Sequence, residues 1–94
     1  SMEFEWHPGK DLANQRKHGV CFGIAQKAFL DRRRVIAVDR GHSTPGERRY
    51  FCFGRVDGRV LTVRFTVRGD VIRIFGAGYW REGRRRYDEE NAGT

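Results

Sequence analysis

Two dipeptides, Asp57-Gly58 and Gly69-Asp70, each fall between runs in which apolar residues alternate with polar ones. Alternation at a period of two marks a strand facing a core on one side, and a tight Gly/Asp turn between two such runs closes a β-hairpin. A one-residue slip in either hairpin would exchange every side chain between the two faces, so the turns nearly dictate the sheet. Four strands are expected over Val35–Asp39, Arg48–Arg55, Val60–Arg68 and Val71–Ala77. A two-residue loop at Gly69-Asp70 pairs Arg68 with Val71. It puts Leu61, Val63, Phe65 and Val67 on one face with Ile72 and Ile74. For the earlier hairpin, a three-residue loop, Val56-Asp57-Gly58, is preferred. A two-residue loop would turn Phe51 and Phe53 onto the polar face. The polar face then carries two rows: Arg48, Thr66 and Arg73 in one, Tyr50, Arg64 and Phe75 in the next, with Arg68 and Cys52 alongside.

Ahead of the sheet the pattern is helical. Phe4 and Trp6 share one side of a short edge strand, and Pro8 suits a first helical turn, where its missing N–H costs nothing. A helix is expected through Lys10–His18, with Leu12 and Ala13 as its thin apolar face and Gly19 as its stop. Phe22–Leu30 reads as a second helix, with Ile24, Ala25, Ala28 and Phe29 at helical spacing. The tail from Trp80 reads as a short C-terminal helix. The expected fold is α+β: two N-terminal helices packed on one face of an antiparallel sheet of about four strands.

Charge narrows the function. Nineteen Lys and Arg against twelve Asp and Glu give +7, mostly arginine, which favours an anionic partner: RNA, DNA or an acidic protein. Guanidinium groups interleaved with aromatic rings suit a strand of RNA, because the fork holds phosphate while rings stack bases. Cys21 and Cys52 are too few for a metal cluster, and two reduced thiols in a cytoplasmic protein are expected, with no metal, no cofactor and no membrane span. Ser1, ahead of Met2, reads as a remnant of expression, which leaves a single domain over residues 2–94.

The segments "FEWHPGK", "NQRKHGVCFGIAQKAFLD", "HSTPGERRYFCFG" and "RVLTVRFTVRGDVIRIF", followed by Tyr87, stand in an order that resembles the BrnT family of bacterial toxins. The similarity runs from Glu3 to Tyr87. It implies a compact fold like that of RelE toxins and a metal-independent endoribonuclease of a type II toxin–antitoxin pair. It also implies a BrnA-type antitoxin as partner, with operator DNA bound only through that complex. The chain departs from the family at His7, Cys21 and Gly78; many relatives carry arginine at the last.

Cleavage by the ribose 2′-OH needs charge stabilisation and proton transfer, for which Arg48, Arg64, Arg73, Glu47 and His18 are the catalytic candidates. Lys10, Lys17, Tyr50, Arg68, Tyr79 and Arg81 are the RNA-binding candidates. His18 has two readings: a helix-terminal residue favoured by the dipole, or, with Lys17 and Asn14, a wall of the RNA groove. His42 reads as a solvated loop histidine. Two other functions fit the same basic face, a non-catalytic nucleic-acid-binding domain and a module that docks an acidic protein.

Overall fold

The structure, a computed structural model, describes residues 2–93. The chain is α+β, with β1 (Glu3–Trp6), α1 (Pro8–His18), α2 (Phe22–Ala25), a 3₁₀ turn (Gln26–Leu30), β2 (Val35–Val38), β3 (Arg49–Val56), β4 (Arg59–Arg68), β5 (Val71–Gly78) and α3 (Arg81–Asn91). The strands form one five-stranded sheet in the order β1-β5-β4-β3-β2. It is mixed rather than purely antiparallel, because β1 runs parallel to β5, pairing Glu3 with Val71 and Trp6 with Ile74. The expected second helix is α-helical only to Ala25 and then tightens to 3₁₀, as short helix ends often do. Among the described residues no helix is long and apolar enough to cross a membrane.

The β4–β5 hairpin keeps the expected register from Arg68↔Val71 to Phe65↔Ile74, and there it shifts. Arg64 pairs with Gly76, so Phe75 is the extra residue of a β-bulge. The β3–β4 hairpin departs from expectation altogether. Val56 pairs with Arg59 across a two-residue turn, with both Asp57 (φ 50°) and Gly58 (φ 82°) left-handed, as a type I′ turn requires. Phe51 therefore sits opposite Arg64 and Phe53 opposite Thr62, while Tyr50 and Cys52 pair with Phe65 and Val63. Both expected rows change. Arg49, not Arg48, lies beside Thr66 and Arg73, and Phe51, not Tyr50, lies beside Arg64.

The reason is a second core. On one face, Phe22, Ala25, Ala28 and Phe29 pack on Cys52, Leu61, Val63, Phe65 and Ile74, with Tyr50 stacked on Phe65 at 5.3 Å. On the other, α3 docks Tyr87 against Phe53 and Val60, with Val35, Ala37 and Phe51 around them. The C-terminal helix thus covers the face assigned to solvent, where Phe53 is buried and Phe51 partly buried rather than misplaced. Gly83, one turn before Tyr87, lets α3 come close: a Cβ there would overlap Thr62 Oγ1 and lie 3.0 Å from Phe53 Cδ1. The Tyr87 hydroxyl donates to Asp31 Oδ2 at 2.7 Å, and the Arg55 N–H donates to the same oxygen at 2.7 Å. Burial works to raise the Asp31 pKa. The Tyr87 bond, the N–H groups of Arg55 and Arg33 and the Arg55 charge outweigh it and hold the carboxyl below its usual value. Both thiols are free, and burial pushes Cys52 up to about 12, which makes it inert.

The first helix starts as the sequence indicates, with Pro8 at its first turn and Gly19 (φ 72°) as its left-handed stop; the His7 ring accepts a bond from the Gly9 N–H at 3.0 Å. Its attachment is not the expected apolar one. Leu12 is 55% exposed, and the buried residue is Asn14. Its amide donates to Val20 O at 2.8 Å and Ala77 O at 2.9 Å, while Oδ1 accepts from Ala77 N at 3.2 Å. Past Trp6 the edge of β5 has no strand partner among the described residues, and the Asn14 amide supplies both bonds that a strand would.

Candidate nucleic-acid interface

The bulge, α1 and β4 together build a groove of about 240 Å³, lined by Lys10, Ala13, Asn14, Lys17 and His18 from the helix and by Arg64, Phe75 and Gly76 from the sheet. Helical spacing places Lys10, Asn14, Lys17 and His18 on one side of α1. Bonding of Asn14 to β5 aims that side at the sheet face that carries Arg64. The bulge sets Phe75 and Gly76 together opposite Arg64. A Cβ built on Gly76 would meet Arg64 Nη1 at 3.4 Å and Asn14 Oδ1 at 3.7 Å, so the glycine leaves the floor under the guanidinium bare.

Charge pairing separates the arginines of this face. Arg49 reaches Glu47 at 2.9 Å, Arg68 reaches the other Glu47 oxygen at 3.2 Å, and Arg73 reaches Glu5 at 2.9 Å. Arg64 has no carboxylate partner among the described residues, and its buried Nε has no hydrogen-bond acceptor. Burying such a donor unpaired costs about 1–3 kcal/mol. Buried polar groups in native proteins nearly always have a partner, and a bound anion in the groove would supply one.

His18 is half-buried at the end of α1. The Gly19 N–H bonds Gln15 O at 2.9 Å, so the glycine makes the cap. The His18 ring makes no hydrogen bond among the described residues; it stands edge-on to Trp80 at 5.1 Å and lines the groove. The Trp80 indole lies across Gly78 so closely that a Cβ there would fall 2.6 Å from Cζ2. The space a side chain at 78 would need is filled by tryptophan.

Of the residues expected from the sequence, Arg64, Phe75, His18, Lys10, Lys17 and Asn14 meet in this groove. Arg49, absent from that expectation, lies 3.9 Å over the Phe75 ring at the groove's rim, with Lys10 Nζ 5.4 Å from the same ring. Glu47 is engaged by two arginines, whose bonds hold its carboxyl below its usual pKa; it orients Arg49 rather than facing the groove. Arg73 is turned to Glu5, and Arg68 to Glu47. Arg48 lies with Val38, Arg40 and Pro45 along a different hollow, its carbonyl accepting from Thr66 Oγ1 at 2.6 Å. Tyr50 is on the core side. Tyr79 and Arg81 line a second cleft, between the β3–β4 turn and the start of α3. His42 is held by Asp39 at 2.8 Å, away from the groove. Asn14, Phe75 and Gly76 owe their places to the edge bonding and the bulge, neither of which alternation alone shows.

Among the described residues, no three His, Cys, Asp or Glu side chains converge as a metal site. The groove instead offers the Arg64 guanidinium, the Lys10 and Lys17 ammonium groups and the His18 imidazole, a set suited to phosphate. No curated protein matches the chain. The family model described as ribonuclease toxin, BrnT, of type II toxin–antitoxin system matches residues 6–83. With most of its length matched, the chain belongs to the BrnT family of ribonuclease toxins of type II toxin–antitoxin systems.

Proposed function

We propose that the protein is a RelE-like, metal-independent endoribonuclease that cleaves cellular RNA in the groove between α1 and the bulge, and so inhibits translation and growth. The observation that carries this reading is Arg64, a guanidinium without a carboxylate partner among the described residues, its Nε buried and unsatisfied there, in one groove with His18. In the proposed reaction the 2′-OH attacks the adjacent phosphorus, forming a 2′,3′-cyclic phosphate as the 5′-oxygen leaves. His18 takes the proton of the 2′-OH and returns it to the departing 5′-oxygen. Arg64 donates to the phosphorane oxygens, where charge develops and fixed donors have the most effect. Lys10 and Lys17 hold the flanking phosphates. A cognate BrnA-type antitoxin neutralises the toxin in the cytoplasm, and operator DNA is reached only through that complex.

Expression of the chain alone is expected to arrest bacterial growth, with co-expressed antitoxin restoring it. The purified protein is expected to cleave RNA in excess chelator and to leave 2′,3′-cyclic ends. Salt-sensitive binding without cleavage would favour a nucleic-acid-binding domain instead. Chelator-sensitive cleavage would end the metal-independent mechanism.

A further inference from the structure

We propose that the cleft between the β3–β4 turn and the start of α3 is a second phosphate-binding subsite, which takes a downstream or upstream phosphodiester of the same RNA strand. The proposal rests on the ribonuclease reading above. The cleft, about 540 Å³, gathers Arg55, Arg59, Arg81 and Arg84 around Tyr79 and Trp80. Asp31 offsets part of the Arg55 charge. Arg59, Arg81 and Arg84 make no ion pair among the described residues, although Asp88 is on the same wall. By contrast, Arg85, on the outer side of α3, is paired to both Glu82 and Glu89. Acidic residues are therefore available along this helix, yet among the described residues Arg59, Arg81 and Arg84 are left without an ion pair.

Two further features select phosphate on a single strand. The Arg59 guanidinium lies 3.9 Å over the Tyr79 ring, which holds its planar fork in place, and a pre-oriented fork grips phosphate at lower entropic cost. Trp80 belongs to both sites: it lines this cleft, and its ring meets His18 of the cleavage groove at 5.1 Å. A strand leaving the groove past His18 meets an indole on which a base can stack, and then the arginines. An acidic protein segment would use the charges but has no need of the shared aromatic ridge.

The test compares wild-type protein with the double variant Arg59→Ala/Arg84→Ala on two RNAs, a dinucleotide and a single-stranded oligomer of about 12 nucleotides, within the usual span of single-strand sites. Cleavage of the dinucleotide is expected to be unchanged. Binding of the oligomer is expected to weaken about tenfold or more, with KM rising and kcat held. Its log–log salt slope should be shallower by about 1.4, because two phosphate contacts on a single strand are lost. Equal oligomer binding and slope in both proteins overturns the subsite while leaving the ribonuclease reading intact. Wild-type protein that neither binds nor cleaves RNA ends the ribonuclease reading and the subsite with it. Polyglutamate binding more tightly than the oligomer, and lost in the variant, assigns the cleft to an acidic protein.

Discussion

Arg64→Ala is expected to lower the rate of RNA cleavage by at least about a hundredfold, roughly 3 kcal/mol of transition-state stabilisation, the usual effect of removing a fixed donor to a developing charge. The melting temperature should barely move, or rise. The guanidinium makes no ion pair among the described residues, and its Nε is buried without an acceptor, so alanine removes an unsatisfied group rather than a contact. Arg64→Lys should recover only part of the rate, since an ammonium restores charge but not the fork. Arg73→Ala is the contrasting variant. It breaks the pair with Glu5, partly exposed at 25% and 41%, and is expected to cost under about 1 kcal/mol with cleavage within a few-fold of wild type. Single-turnover cleavage and thermal melts of the three variants check this. Loss of cleavage in Arg73→Ala with Arg64→Ala active would reverse the roles.

Gly54→Ala carries the largest expected loss of stability, roughly 3 kcal/mol, at the upper end for overpacking a core. The new Cβ would fall on the Ala28 carbonyl oxygen and 2.9 Å from its carbon, and neither backbone has a side-chain rotamer with which to move aside. For a domain of this size that is a fall in melting temperature on the order of 10–20 °C. Gly46→Ala is the control, since a Cβ there meets nothing within 4 Å. Circular-dichroism melts compare the two. An unchanged melt for Gly54→Ala would mean that β3 does not run beneath the 3₁₀ turn.

The sequence reveals the Gly69-Asp70 hairpin correctly through four pairs because alternation and turn agree there. It fails at Phe75, where a bulge adds a residue that leaves no mark on an apolar pattern. It fails at Asp57-Gly58 for a more instructive reason. Turn chemistry alone favours the observed two-residue turn. A single core would need Phe51 and Phe53 on its side and hence the longer loop, but the second core accommodates both on the other face. The signal for a second core was Gly83 and Tyr87, four apart in an otherwise charged helix, a small residue and an aromatic one on a single face. The direction of β1 was not legible, since Phe4 and Trp6 alternate identically in parallel and antiparallel pairing. For the groove, basicity and Arg64 were readable. The pairing of Arg49, Arg68 and Arg73 was not, because it depends on Glu5 and Glu47 meeting them across the fold.

RNA bound between α1 and the bulge can be located directly. Amide and side-chain shifts of isotope-labelled protein, titrated with an oligomer whose ribose 2′-OH groups are replaced by hydrogen, locate the strand without cleaving it. The largest shifts are expected at Lys10, Lys17, His18, Arg64 and Gly76, with Arg73 and Arg48 little changed. Shifts confined to the opposite edge of the sheet, around Ile36, Val38 and Arg48, with the groove silent, would contradict this placement of the strand.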